Sequence, residues 1–169
     1  MIFEDIKAKA RWLYGADTHG LVARAWLSDA TLSMVLYRAM AWSNRRLWAK
    51  PIALLFHKLN SVLCGCVIGL DAKFGRRFII LHSVGVVVNS AVTAGDDVVI
   101  ESGVVIGAEK GKSPKLGCKI FFGSGAKVLG DIRIDDGSII GANAVVVKDV
   151  PSNVVMGGVP AKILKNIES

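Results

Sequence analysis

The chain reads as mainly β, a parallel β-helix built on a six-residue repeat and preceded by an α-helical region. Three observations carry this reading. Large apolar side chains recur every six residues from Ile68 to Val146. Glycine follows seven of these thirteen positions, a regularity that a sheet with varied loops would not keep. All four tryptophans lie before residue 50, where the apolar spacing is helical instead.

A length of 169 residues suits one domain, or one domain with an appendage. The net charge of +7 is unevenly spread: residues 1–66 hold nine Lys/Arg against four Asp/Glu, and residues 67–169 hold twelve against ten. A basic front end suits a phosphorylated ligand or an anionic surface. No arginine-rich array interleaved with aromatics is present, which argues against nucleic acid. Cys64, Cys66 and Cys118 form neither a disulfide framework nor a zinc-finger spacing, so the chain is expected in a reducing, cytoplasmic compartment. The opening MIFEDIKAKARW has acids at Glu4 and Asp5 and no apolar core, so it is not read as a signal peptide. The most apolar stretch, 51–70, is interrupted by His57, Lys58 and Asn60, a poor membrane span.

Along the chain, 31–42 and 51–63 read as helices, with Leu32, Val35, Leu36 and Met40 at helical spacing. Asp29 is the expected N-cap of the first, and Pro51 suits the first turn of the second. Arg45 and Arg46 between them read as a solvated loop; contact with a membrane surface, peripheral at the inner membrane, is the minority reading. The composition changes near Cys64–Gly69, which divides the chain into a helical region, 1–66, and a β-helix with its tail, 67–169.

The repeat then runs Ile68, Phe74, Ile80, Val88, Ala94, Ile100, Ile106, Leu116, Phe122, Val128, Ile134, Ile140 and Val146. The large residue is expected to fill a triangular prism, a smaller one two residues earlier to pack beside it, and the following glycine to relieve a corner. Two steps depart from six. Ile80 to Val88 is eight, which puts His82 on a bulged corner, and Ile106 to Leu116 is ten, which lifts the loop 107–115 out of the coil. A lone histidine among Val and Ile is ordinarily a satisfied core residue. A bulge that the coil does not need makes His82 a functional candidate.

The stretches GRRFIILHSVGVVVNSAVTAGDDVVIESGVVIG (75–107) and GSGAKVLGDIRIDDGSIIGANAVVVKDVPSNVVMGGVPAKIL (123–164) resemble the hexapeptide-repeat acyltransferases. Within them the chain is similar to serine acetyltransferases, with the closest look to short polysaccharide-cluster enzymes of the colanic-acid type. The resemblance implies a left-handed coil, a homotrimer, with pairing of trimers into a hexamer left open, and active sites in grooves between prisms. It implies acetyl-CoA as acyl donor and no metal. His82, in Leu-His-Ser-Val-Gly, matches the family's general base. Ser124 and Ala142 match the coenzyme A channel, and Lys148 and Lys162 match cations that meet its phosphates.

The match also has gaps. Val67 and Leu81 stand where the family has aspartates around the catalytic histidine, and Ser113 stands at its second histidine. The chain ends Asn166-Ile167-Glu168-Ser169, where members that dock with the next enzyme of cysteine synthesis end in isoleucine. Glu101, one coil along from Leu81, is the candidate partner for His82, and Asp71 a weaker one. With the serine-site groups missing, the leading expectation is acetyl transfer to a sugar hydroxyl of a surface-polysaccharide precursor. The alternatives are serine O-acetyltransferase and a non-catalytic β-helix trimer. A zinc β-helix enzyme needs three histidines, and His82 is the only one after residue 57.

Overall fold

The structure, a computed structural model, describes residues 1–167; Glu168 and Ser169, and with them the expectation about the chain terminus, lie outside the described residues. Four helices come first: α1 (Ile2–Tyr14), α2 (His19–Trp26), α3 (Thr31–Asn44) and α4 (Lys50–Cys64). Pro51 lies in the first turn of α4, as its fixed φ favours, and Gly65 ends that helix in the left-handed conformation at φ 60°. α3 buries Leu36 and Met40 of the residues at helical spacing, together with Met34 and Tyr37, whereas Leu32 is exposed. Among the described residues no helix is long and apolar enough to cross a membrane.

From Val67 the chain winds a parallel β-helix of three faces. The first face stacks β1 (Val67–Ile68), β4 (Val87–Val88), β7 (Val105–Gly107), β10 (Lys127–Leu129) and β13 (Val145–Val146). The second stacks β2 (Lys73–Phe74), β5 (Thr93–Ala94), β8 (Lys115–Leu116) and β11 (Arg133–Ile134). The third stacks β3 (Ile79–Ile80), β6 (Val99–Ile100), β9 (Phe121–Phe122), β12 (Ile139–Ile140) and β14 (Val154–Gly157), and β15 (Lys162–Asn166) returns antiparallel along β14. Every third strand pairs, because three short faces make one coil.

The register confirms both departures from period six. Val87 pairs with Val105, eighteen residues on, as three faces of six require. Ile79 pairs with Val99, twenty on, so the coil through His82 holds two extra residues. Thr93 pairs with Lys115, twenty-two on, so the next holds four extra, and residues 108–112 of that loop are exposed. The repeat residues are buried throughout, except the small Ala94, which is half-buried.

The glycines after the large residues act differently from expectation. Their φ is not in the left-handed region; a Cβ there would strike the next coil, as at Gly123, where it would lie 2.7 Å from the Ala142 nitrogen. Left-handed residues stack instead at two other columns, one through Gly85, Gly103, Gly125 and Asn143, the other through Arg77, Asp97, Lys119, Gly137 and Asn153. Close backbone approach, not torsional freedom, selects the repeat glycines.

The helices share the solenoid's core. Tyr37, Met34 and Met40 of α3 join Phe74, Phe78 and the prism residues in one apolar cluster. The Tyr37 hydroxyl donates to the Ala72 carbonyl and accepts from the Phe74 N–H, each at 3.1 Å. α1 lies on the third face, where Ala8 packs with Ile79, Leu81 and Val99.

Candidate active site

The corner between the third and first faces carries the candidate residues. The Leu81 N–H bonds the Ile100 carbonyl at 2.9 Å, which sets Leu81 level with Glu101. The Gly103 N–H bonds the Val84 carbonyl at 2.9 Å, which sets Val84 level with Ser102. The two residues with no counterpart in the next coil are therefore His82 and Ser83. Ser83 turns inward and is buried, while the His82 imidazole stands out from the corner with 60% of its side chain exposed.

Asp29, from the turn between α2 and α3, meets that imidazole: His82 Nδ1 and Asp29 Oδ2 lie 2.8 Å apart. The other carboxylate oxygen, Oδ1, accepts the Ala30 N–H at 2.8 Å. Asp29 is thus not the N-cap expected of it; Ala30 occupies that position with φ 59°, and the helix has no side-chain cap bond. The hydrogen bond from His82 holds the Asp29 carboxyl below its ordinary range; burial opposes it, and the Ala30 N–H and the nearby Lys9 charge add to the lowering. An ionised carboxylate only accepts, so Nδ1 is the donor of this bond, and in the neutral ring the lone pair then sits on Nε2. That is the tautomer a general base needs.

Behind the turn sits Lys9 of α1, 1% exposed. Its ammonium donates to the Asp29 carbonyl and, at 3.2 Å, to Thr31 Oγ1. Burial pulls its pKa down to about 8, although Asp29 pushes the other way.

Ser124 and Ala142 are exposed and stack as their spacing demanded, the Asn143 N–H bonding the Ser124 carbonyl at 2.9 Å. Ser102 joins the column below them, its carbonyl accepting the Gly125 N–H at 2.8 Å. Sequence reasoning passed over Ser102, although counting the four-residue loop would have found it. Glu101 stands one coil along from Leu81 as counted, yet the carboxylate bonded to His82 is Asp29's. Asp71 is turned to Asn44, whose Nδ2 lies 2.9 Å from it.

Lys148 and Lys162 are both exposed. Lys162 follows Ala161, whose N–H bonds the carbonyl of Val145, the residue opening β13. Lys148 lies past the end of β13, on the next corner. The positions where this chain lacks the family's aspartates and second histidine have other tasks. Leu81 packs against α1, Val67 of β1 pairs with Val87 of β4, and the Ser113 hydroxyl donates to Asn89 Oδ1 at 2.8 Å.

Comparison with known proteins adds names to this geometry. No family model matches the chain. A serine acetyltransferase of Staphylococcus epidermidis is 35% identical over 98% of the chain, which spans 75% of that relative. A solved serine acetyltransferase of Vibrio cholerae superposes with a TM-score of 0.86 at 28% identity, covering 99% of this chain and 67% of that one. A serine acetyltransferase of Brucella abortus solved with coenzyme A gives 0.85 at 26% identity, covering 96% of this chain and 66% of that one.

Proposed function

We propose that this chain, which belongs to the serine acetyltransferase family, moves the acetyl group of acetyl-CoA onto the hydroxyl of L-serine. It is an acetyl-CoA-dependent O-acyltransferase. The glycan acceptor expected from the sequence is thereby corrected, since the relatives carry the name of serine, not of a sugar. That expectation rested on the family residues missing at Val67, Leu81 and Ser113. Asp29 supplies one from the helical region.

The single observation that carries the mechanism is the Asp29–His82 hydrogen bond of 2.8 Å on the bulged corner. Nε2 takes the hydroxyl proton as the serine oxygen attacks the thioester carbon. The tetrahedral adduct then collapses, the C–S bond breaks, and the departing thiolate takes the proton back from the imidazolium. Asp29 holds the ring and offsets its transient positive charge. Direct transfer needs no covalent enzyme intermediate. Corner N–H groups facing the adduct serve as oxyanion donors.

The column Ser102, Ser124 and Ala142 is a lane of small residues suited to a pantetheine arm lying against backbone. Lys148 and Lys162 serve the cofactor's phosphates, Lys162 beside the start of β13 and Lys148 beyond its end. Glu101 brings a negative charge to the same corner, suited to the serine ammonium. Val84 and Val87, 69% and 41% exposed beside His82, favour a neighbouring copy closing the groove, in line with a trimer. The test is thiol release from acetyl-CoA with L-serine and, in parallel, a panel of sugars, with the product identified by mass. O-acetylserine is expected; turnover on a sugar and none on serine would contradict the assignment.

A further inference from the structure

The dyad spans two parts of the molecule: His82 stands on the solenoid, whereas Asp29 belongs to the α2–α3 turn. That turn is tightly tied within itself. The Ser28 and Thr31 hydroxyls both donate to the Ala25 carbonyl at 2.7 Å, and Ala30 takes φ 59°. None of these bonds fixes the turn relative to His82. Lys9 does reach it from outside, its ammonium bonded to the Asp29 carbonyl and to Thr31 Oγ1. Among the described residues no carboxylate forms an ion pair with Lys9, so the charge is buried without the usual compensation. An apolar side chain would fill the same space in α1 without that cost.

α1 itself is fixed to the coil that carries the base. Four residues before Lys9, Asp5 accepts the Phe78 N–H at 3.1 Å, and one residue before it, Ala8 packs on Leu81, the neighbour of His82. A closed circuit results, from His82 through Leu81 and Ala8 to Lys9, and from Lys9 through Asp29 back to the imidazole.

We propose that Lys9 is a positioning residue for acyl transfer: its buried ammonium holds the α2–α3 turn at the distance from α1 that brings the Asp29 carboxylate onto His82 Nδ1. The proposal rests on the reading of His82 as base and Asp29 as its orienting partner. Lys9 touches neither acetyl-CoA nor acceptor and acts through Asp29 alone.

The experiment compares wild type, Lys9→Met, Asp29→Asn and the double variant, in kcat and in KM for acetyl-CoA, together with a crystal structure of Lys9→Met. Expected is a fall in kcat of about tenfold or more in Lys9→Met, inside the range that a general base is worth, with KM unchanged. The double variant should match Asp29→Asn within about twofold, because residues acting through one contact are not additive. In the Lys9→Met crystal, Asp29 Oδ2 should stand out of hydrogen-bond reach of Nδ1. Should Lys9→Met not fold, Lys9→Gln takes its place under the same criteria, its uncharged amide ending one atom short of the Asp29 carbonyl. Unchanged kcat, full additivity, or a retained Asp29–His82 bond would each overturn the proposal. A wild type that ignores serine would refute the acceptor instead, and the crystallographic distance would still decide the role of Lys9.

Discussion

A lysine with 1% of its surface exposed leaves a mark on stability as well as on geometry. Burial lowers Lys9 from its ordinary value to about 8. Between that pH and about 10.4, the unfolded chain therefore binds more protons at this site than the folded one. The contribution of Lys9 is fully present above the upper value and is lost as pH falls through the lower one, so stability rises with pH across the window. A gain of a few kcal/mol, roughly, follows from the size of the shift. Urea unfolding at pH 7.5 and at pH 10 checks this: the difference between wild type and Lys9→Met should change in that direction, and a constant difference would speak against it. Cys66 behaves in the opposite sense, burial pushing its thiol up to about 11, which keeps it protonated and unreactive at neutral pH.

Individual elements depend on how closely the coils approach. A Cβ at Gly69 would run into the Ser90 backbone, which is held in the neighbouring coil and has nowhere to go. Gly69→Ala is expected to cost about 1–3 kcal/mol, the usual range for overpacking. Gly20, in α2, has nothing within 4 Å of its Cβ position and no positive φ. Gly20→Ala should instead stabilise by about 0.5–1 kcal/mol. Thermal melts of the two variants should move in opposite directions; a shared sign would mean that inter-coil contact is not what selects glycine in the repeat. The repeat itself was legible in the sequence because each six residues meet the same prism, so Ile80, Ile100 and Phe122 obey one local rule. Asp29 was not legible, because a carboxylate two residues before a helix has the local look of a cap, and only the packing of α3 on the coil turns it toward His82. Helical spacing alone does not say which side of α3 meets the solenoid: Leu32 and Val35 fit the period as well as Leu36 and Met40, but the core takes Met34, Tyr37 and Met40.

At the scale of the whole molecule, a buried ion pair between α1 and α3 anchors both helices on the β-helix through its further hydrogen bonds. Arg38 of α3 clasps Asp5 of α1 through two nitrogens, at 2.7 and 3.1 Å, with side chains 9% and 0% exposed. Arg38 also donates to the Phe74 and Gly75 carbonyls at 2.9 and 2.5 Å. Burial raises the Asp5 carboxyl in spite of this partner, which shows how little water reaches it. Arg38→Met would leave that carboxylate inside with the Phe78 N–H for company, and the loss of one partner of a buried pair costs about 3–5 kcal/mol. A melting temperature within a degree or two of wild type would rule out such a clamp. The clamp bears on function because it sets the helices, and so Asp29, against the coil that bears His82. The solenoid half of the site followed from counting residues along the coil, as Ser124 and Ala142 did; the helical half followed only from tertiary contact.

The central claim is that His82, held by Asp29, takes the acceptor proton. The most direct measurement is kcat for acetyl transfer from acetyl-CoA to L-serine by wild type, His82→Ala and Asp29→Asn under saturating substrates. The account predicts a loss of about 10²–10⁴-fold for His82→Ala with the fold intact, and a smaller loss in the same direction for Asp29→Asn. His82→Ala turning over within about twofold of wild type, well short of what a general base is worth, would contradict it.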